Sequence, residues 1–241
     1  MSFDYLKAIR KPFTDFNKLI IGVLFLLIPI VNIVTGFFVK GYRLEAAKDY
    51  NKKLPMWNNF GKLFLRGLLS WIIGIIYMIP AVILLAFSVG KIIYNIVLQY
   101  GLNQGLSTTN PLSDSVIQSF LLSNTGLIPI FLIALILMAI AAYVTPIAIM
   151  MYIQKYRFED AFKLKSVFRK AFTGQYFVAI LAISLYGFIV VLIANALQMG
   201  IALIGVQFLV IALTLIVTSF VAYILSITSY TIFGEVYSKI K

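Results

Sequence analysis

The segment KGYRLEAAKDYNKKLPMW, Lys40–Trp57, decides how this chain is arranged. The protein has 241 residues, 62% of them hydrophobic and only 12% charged, yet seven bases gather between Lys40 and Arg66. Apolar runs of about twenty residues or more lie elsewhere, enough to cross the hydrocarbon core of a bilayer, and mean hydropathy is +1.00. A water-soluble core does not have this composition, so the chain reads as an integral membrane protein and Lys40–Trp57 as a charged linker beside its spans.

Working outward, the spans expected are residues 67–99, 127–153, 177–197 and 201–233. The bases fix their sense. Four lie in residues 1–18, seven in 40–66, one at Lys91, six in 155–170 and two at the C-terminus, whereas 100–126 has no Lys or Arg. Cytoplasmic loops carry the Lys and Arg excess. The linkers 40–66 and 154–176 are therefore expected in the cytoplasm with the C-terminus, and 100–126 outside. The net charge of +12 is accounted for by these short loops, and a nucleic-acid partner is not expected.

Residues 19–39 do not fit a simple count, because bases flank them on both sides. Their centre holds Pro29, Asn32 and Gly36, which favour turns. The reading preferred is a hemi-penetrating hairpin with both ends, and hence the N-terminus, in the cytoplasm; the alternative is a fifth full span. Residues 1–18 lead into it. Leu6, Ile9, Phe13, Phe16 and Ile20 are spaced 3-4-3-4, one stripe of a helix, with Lys7, Lys11 and Lys18 opposite. An amphipathic interfacial helix is expected, interrupted or restarted at Pro12. The fold class is thus all-α: a polytopic transmembrane helical bundle forming one membrane domain over 1–241. The 67–99 run is expected to kink near Pro80 or end near Gly90. MSFDYLKAIRKPF lacks signal-peptide features, so the mature chain is expected to begin at Met1.

The stretch QKYRFEDAFKLKSVFRKAF, from Gln154, repeats the opening one. Tyr42, Arg43, Glu45 and Ala47 match Tyr156, Arg157, Glu159 and Ala161, each after an apolar run and before a basic one. A parallel internal repeat is the expectation. If the linkers are helical, Glu45 faces Lys48 and Glu159 faces Lys163. Anionic lipid headgroups or phosphates would then meet Arg43, Lys48, Arg157 and Lys163.

The segment LIIGVLFLLIPIVNIVTGFFVKGYRLEAAKD followed by LPMWNNFGKLFLRGLLSWIIGIIYMIP carries Gly41-Tyr42-Arg43, Leu54-Pro55 with Trp57, and Phe64-x-x-Gly67. These motifs, most clearly over residues 3–80, resemble the integral-membrane family called domain of unknown function 4013. That family tends to place an acid after the Trp, where this chain has Asn58 and Asn59. The resemblance implies a prokaryotic, mainly archaeal, multi-span protein, and implies no activity.

With no cysteine and no histidine, disulfides, thiolate catalysis and a Ser-His triad are excluded within this chain. No cofactor or metal site is expected. The confident spans hold no Asp or Glu, which disfavours carboxylate-coupled transport. Three functions compete. The first, preferred, is a non-enzymatic module in the cell membrane that binds anionic lipids, a protein partner or a second copy through its basic linkers. The second is a small-solute permease or channel with a polar site at Asn95, Asn195 and Gln198. The third is a lipid-modifying enzyme, which would need Asp49, Asp114, Glu159, Asp160 or Glu235, and no spacing makes these converge.

Overall fold

The computed structural model describes residues 3–104 and 125–240, the side chains of Pro29 and 96–104 excepted. Among the described residues eight α-helices follow in order: α1 Tyr5–Arg10, α2 Phe16–Leu27, α3 Pro29–Lys48, α4 Phe60–Gln104, α5 Ile128–Lys155, α6 Leu164–Ala171, α7 Gly174–Ala202 and α8 Gln207–Lys239. Short 3-10 turns cover Lys11–Thr14, Thr125–Leu127 and Phe158–Phe162. Among the described residues there is no strand, and the protein is an all-α, multi-pass membrane protein. Four stretches are long and apolar enough to cross: Phe60–Asn95, Thr125–Lys155, Gly174–Ala202 and Gln207–Lys239.

The chain forms two compact units, Met1–Ile73 with Val144–Lys241, and Gly74–Tyr143. In the second unit α4 does not end at Gly90 but continues to Gln104. A single glycine costs a helix only about 1 kcal/mol, while apolar surroundings supply no water to satisfy a broken ladder. Of the loop expected at 100–126, residues 105–124, including Asp114, lie outside the described part.

The N-terminal segment is not one helix. Asp4 and Asp15 each cap a start, their carboxylates accepting from the amides of Lys7 and Lys18, and Pro12 sits in the 3-10 turn between α1 and α2. The apolar stripe faces outward, with Leu6 66% and Phe16 68% exposed. One of the bases assigned to the opposite face turns inward, since Lys11 is 3% exposed.

Residues 16–48 form an antiparallel helix pair broken at Ile28, whose extended backbone (φ −95°, ψ 111°) is what a following proline demands. Pro29 then opens α3 at a position where its missing N–H costs nothing. The turn occurs only there. Asn32 and Gly36, read as turn residues, are helical. The last carbonyls of α2 would be orphaned at this break. Leu26 O accepts from Asn32 Nδ2 at 3.3 Å and from Ser219 Oγ at 3.1 Å, and Phe25 O accepts from the Thr35 hydroxyl.

In the first unit α3 packs against α2, α4 and α8. A Cβ on Gly41 would overlap the carbonyl of Leu63, and one on Gly67 that of Phe37, so α3 and α4 cross antiparallel at backbone contact, as small residues permit in membranes. Along α8 the order is parallel: Arg43 meets Ser226 and Tyr230, and Ala47 meets Gly234. Leu19, Val39, Tyr42, Tyr223 and Ile227 make the core between α2, α3 and α8.

Candidate functional site

The C-terminal ends of α3 and α8, the start of α4, the N-terminal turns and the linker after α5 meet at one end of the first unit. Asp4 N donates to Glu235 Oε1 at 3.2 Å, the Ser238 hydroxyl to Tyr50 OH at 3.1 Å, and Lys170 Nζ to Ile240 O at 2.8 Å. The bases of 1–18, 40–66 and 155–170 thereby become one basic end.

Successive residues of α3 point about 100° apart, since a turn takes 3.6 residues, and Gly41-Tyr42-Arg43 uses three directions for three partners. Gly41 admits α4. Tyr42 stacks on Trp57 with centroids 3.8 Å apart and planes 5° from parallel, and its hydroxyl donates to Pro55 O at 2.8 Å. Trp57 Nε1 in turn donates to Lys18 O at 2.9 Å. The Leu54-Pro55-x-Trp57 motif is thus the clasp that folds the 49–59 linker onto α3 and α2.

Arg43 turns to α8. Its guanidinium lies 3.9 Å over the ring of Tyr230 and its Nη1 donates to Ser226 Oγ at 3.4 Å. Its Nε is buried with no hydrogen-bond partner among the described residues. One turn earlier Lys40 Nζ lies 4.9 Å from the centre of the Phe37 ring and 5.8 Å from that of Trp71. Both bases therefore rest on aromatic faces, and among the described residues neither has a carboxylate in ion-pair reach.

Glu45 does not take Lys48. It pairs with Arg66 of α4 at 2.5 Å, and Arg66 also lies 3.7 Å over the Tyr156 ring, with Lys48 Nζ at 4.4 Å. Tyr156 has a left-handed backbone (φ 52°), and burial pushes its phenol up to about 12 against the opposing influence of Arg66. Beyond it the chain forms a 3-10 turn rather than an α-helix. Glu159 consequently pairs with Arg157, two residues back, and Asp160 instead of Glu159 takes Lys163, at 2.5 Å. Arg43 and Arg157 have different partners, one half-buried against α8, the other 57% exposed.

Lys40 was not singled out in the sequence, where it was only one base among twenty, and Lys11 was placed only on the basic face of the N-terminal helix. Lys11 Nζ donates to the carbonyls of Ala46 (2.8 Å), Asp49 (2.8 Å) and Tyr50 (3.3 Å), closing the C-terminus of α3. Burial lowers its ammonium to about 8, with Asp49 opposing and Lys7 reinforcing. Beside it is a cavity of about 110 Å³ lined by Lys7, Lys11, Thr14, Asn51, Lys52 and Lys53, together with Tyr50. The acids named for an enzyme are dispersed into pairs: Asp49 with Lys52, Glu235 with Lys239, and Glu159 and Asp160 as above. Among the described residues no three acidic side chains form a metal-binding group.

The polar residues 95, 195 and 198 fall in different places. Asn95 belongs to the second compact unit. Asn195 is exposed on α7, and Gln198 Nε2 donates to Thr218 Oγ1 at 3.2 Å, tying α7 to α8. The first unit also holds a groove of about 560 Å³ between α2, α7 and α8, lined by apolar side chains alone; neither Asn195 nor Gln198 lines it.

Residues 21–199 match the family described as a protein of unknown function, DUF4013, and the chain belongs to it. No curated protein and no solved structure matches.

Proposed function

We propose that this DUF4013 protein is a non-enzymatic membrane module that binds anionic lipid headgroups at its basic end. One observation carries the reading: the acids at that end are already committed, and the bases are in excess. Asp15, Glu45, Asp49, Glu159, Asp160 and Glu235 each have a local Lys or Arg, while Lys40 and Arg43 rest on rings. Each base near an anionic surface adds about 1 kcal/mol of attraction.

The basic end is read as cytoplasmic, from the excess of Lys and Arg. The α2–α3 pair is then a hairpin that enters and leaves on that side. With 12 residues, α2 is about 18 Å long, short of a hydrocarbon core of about 30 Å. Asn32, Thr35 and Ser219 at its tip supply the hydrogen bonds that lipid cannot. Because the chain has no cysteine, Arg10→Cys gives a single label site; labelling from outside intact cells would overturn this orientation.

The lipid reading is tested on protein purified with its bound lipids. Arg43→Gln with Arg157→Gln is expected to lower the ratio of anionic to zwitterionic lipid retained severalfold. An unchanged ratio removes the reading.

A further inference from the structure

The 3-10 turn Lys11–Thr14 contributes to the lysine cavity and leads directly into α2, which lines the apolar groove. Lys11 and Thr14 line the cavity. Phe13, between them, packs on Phe220 with centroids 6.3 Å apart, and Phe220 lines the groove. Two residues after Thr14 the groove itself begins, at Phe16, and follows α2 to Leu27. That is about 16 Å at 1.5 Å per residue, a slot for a chain rather than for a compact molecule. Its volume of about 560 Å³ falls within the range of ligand sites.

Resting on the lipid reading above, we propose that the groove and the cavity are two halves of one site for a single anionic polar lipid. Its hydrocarbon chain lies along α2 against α7 and α8, and its phosphate is held by Lys7 and Lys53, joined by Lys52 from its exposed pair with Asp49. The charge balance favours an anion. No carboxylate lines the cavity. The acids nearby have partners of their own: Asp4 accepts from Lys7 N at 3.0 Å, Asp49 pairs with Lys52 at 3.1 Å and Asp15 with Lys18 at 3.0 Å, and Lys11 donates to carbonyls. A hydrocarbon chain gains little by leaving the bilayer for an equally apolar wall. Selectivity must come from the headgroup, and the groove sets where the lipid lies and how long it stays.

The full-length protein in detergent, titrated with dioleoylphosphatidylglycerol or dioleoylphosphatidylcholine and read by native mass spectrometry, tests this. The wild type should hold one phosphatidylglycerol with about tenfold preference, as expected from a few bases at a surface. Lys52→Gln with Lys53→Gln should abolish most of that preference and leave phosphatidylcholine binding as it was. Leu24 and Ile193 line the groove and are 57% and 58% exposed. Leu24→Trp and Ile193→Trp should each fill the slot without entering the core and displace the bound lipid. If either tryptophan variant, folded by thermal melt, keeps one phosphatidylglycerol with wild-type affinity, the groove is not the site; the broader headgroup reading still stands if Arg43→Gln with Arg157→Gln loses selectivity. If the lysine pair can be removed without loss of preference, the cavity is not the site. No preference in any form of the protein overturns both readings.

Discussion

Two stretches of this protein share Tyr, Arg, Glu and Ala at the same spacing and do different work. In the first, Tyr42 is fully buried, Glu45 ties α3 to α4 and Arg43 reaches α8. In the second, Tyr156 has left-handed backbone and Arg157 closes on Glu159 in an exposed turn. Position 41 helps explain the divergence. Glycine there lets α4 approach to backbone contact, whereas Lys155 occupies the matching place and the helix ends at it. Shared residues thus become scaffold only where the neighbouring helix can come close.

The comparison can be broken in order of effect. Tyr42→Ala removes a stacked, fully buried ring and should cost about 4 kcal/mol, read as the midpoint of unfolding in SDS; Tyr156→Ala, half-buried and held by two cations, should cost about 1 kcal/mol. Equal losses would make the two motifs equivalent. Gly41→Ala forces α3 from α4 and should cost about 3 kcal/mol, while Lys155→Ala should stay within about 0.5 kcal/mol.

The ends of the two motifs differ as well. Lys11→Met leaves three carbonyls at the end of α3 without their donor and should destabilise by about 2 kcal/mol; Lys163→Met, which removes the 59% exposed partner of Asp160, should cost less than about 1 kcal/mol. Lys11 also predicts a pH dependence. Its native ammonium titrates near 8, below the usual range near 10.4. Between those values the unfolded chain binds a proton that the native protein has released, so stability should rise with pH across that window. Thermal melts from pH 8 to 10.5 should show this rise in the wild type and lose it in Lys11→Met. A wild-type stability that falls over the window by the same amount as the variant's would contradict the assignment. The smallest contrast is electrostatic: Arg43→Gln should cost about 1 kcal/mol through its ring contact, and Arg157→Gln at most a few tenths, lost altogether at high salt.

Much of the architecture was legible in residue order because the bilayer imposes simple demands. Lengths of apolar sequence marked the four spans, and Pro29 between two apolar runs marked the break in 16–48. The structure corrected finer assignments. Asn32 was read as a turn former and instead donates to the α2 carbonyl left open by the break. Lys11 was placed on the outward basic face of an amphipathic helix and is buried. Glu45 was placed with Lys48, its neighbour in the helix, and instead chose Arg66, 21 positions away. Each of these depends on a partner remote in sequence, which periodicity does not see.

By itself the sequence determined that this is a membrane protein, which stretches are long and apolar enough to cross and which loops carry the bases, because hydrocarbon tolerates only long apolar helices and charge must lie beyond them. Only tertiary structure decided which bases are spent and which are left over. The burial of Lys11, the ring seats of Lys40 and Arg43, and the groove beside the lysine cavity arise from helices meeting across the fold, where distance and desolvation rather than residue order set the energy of a charge.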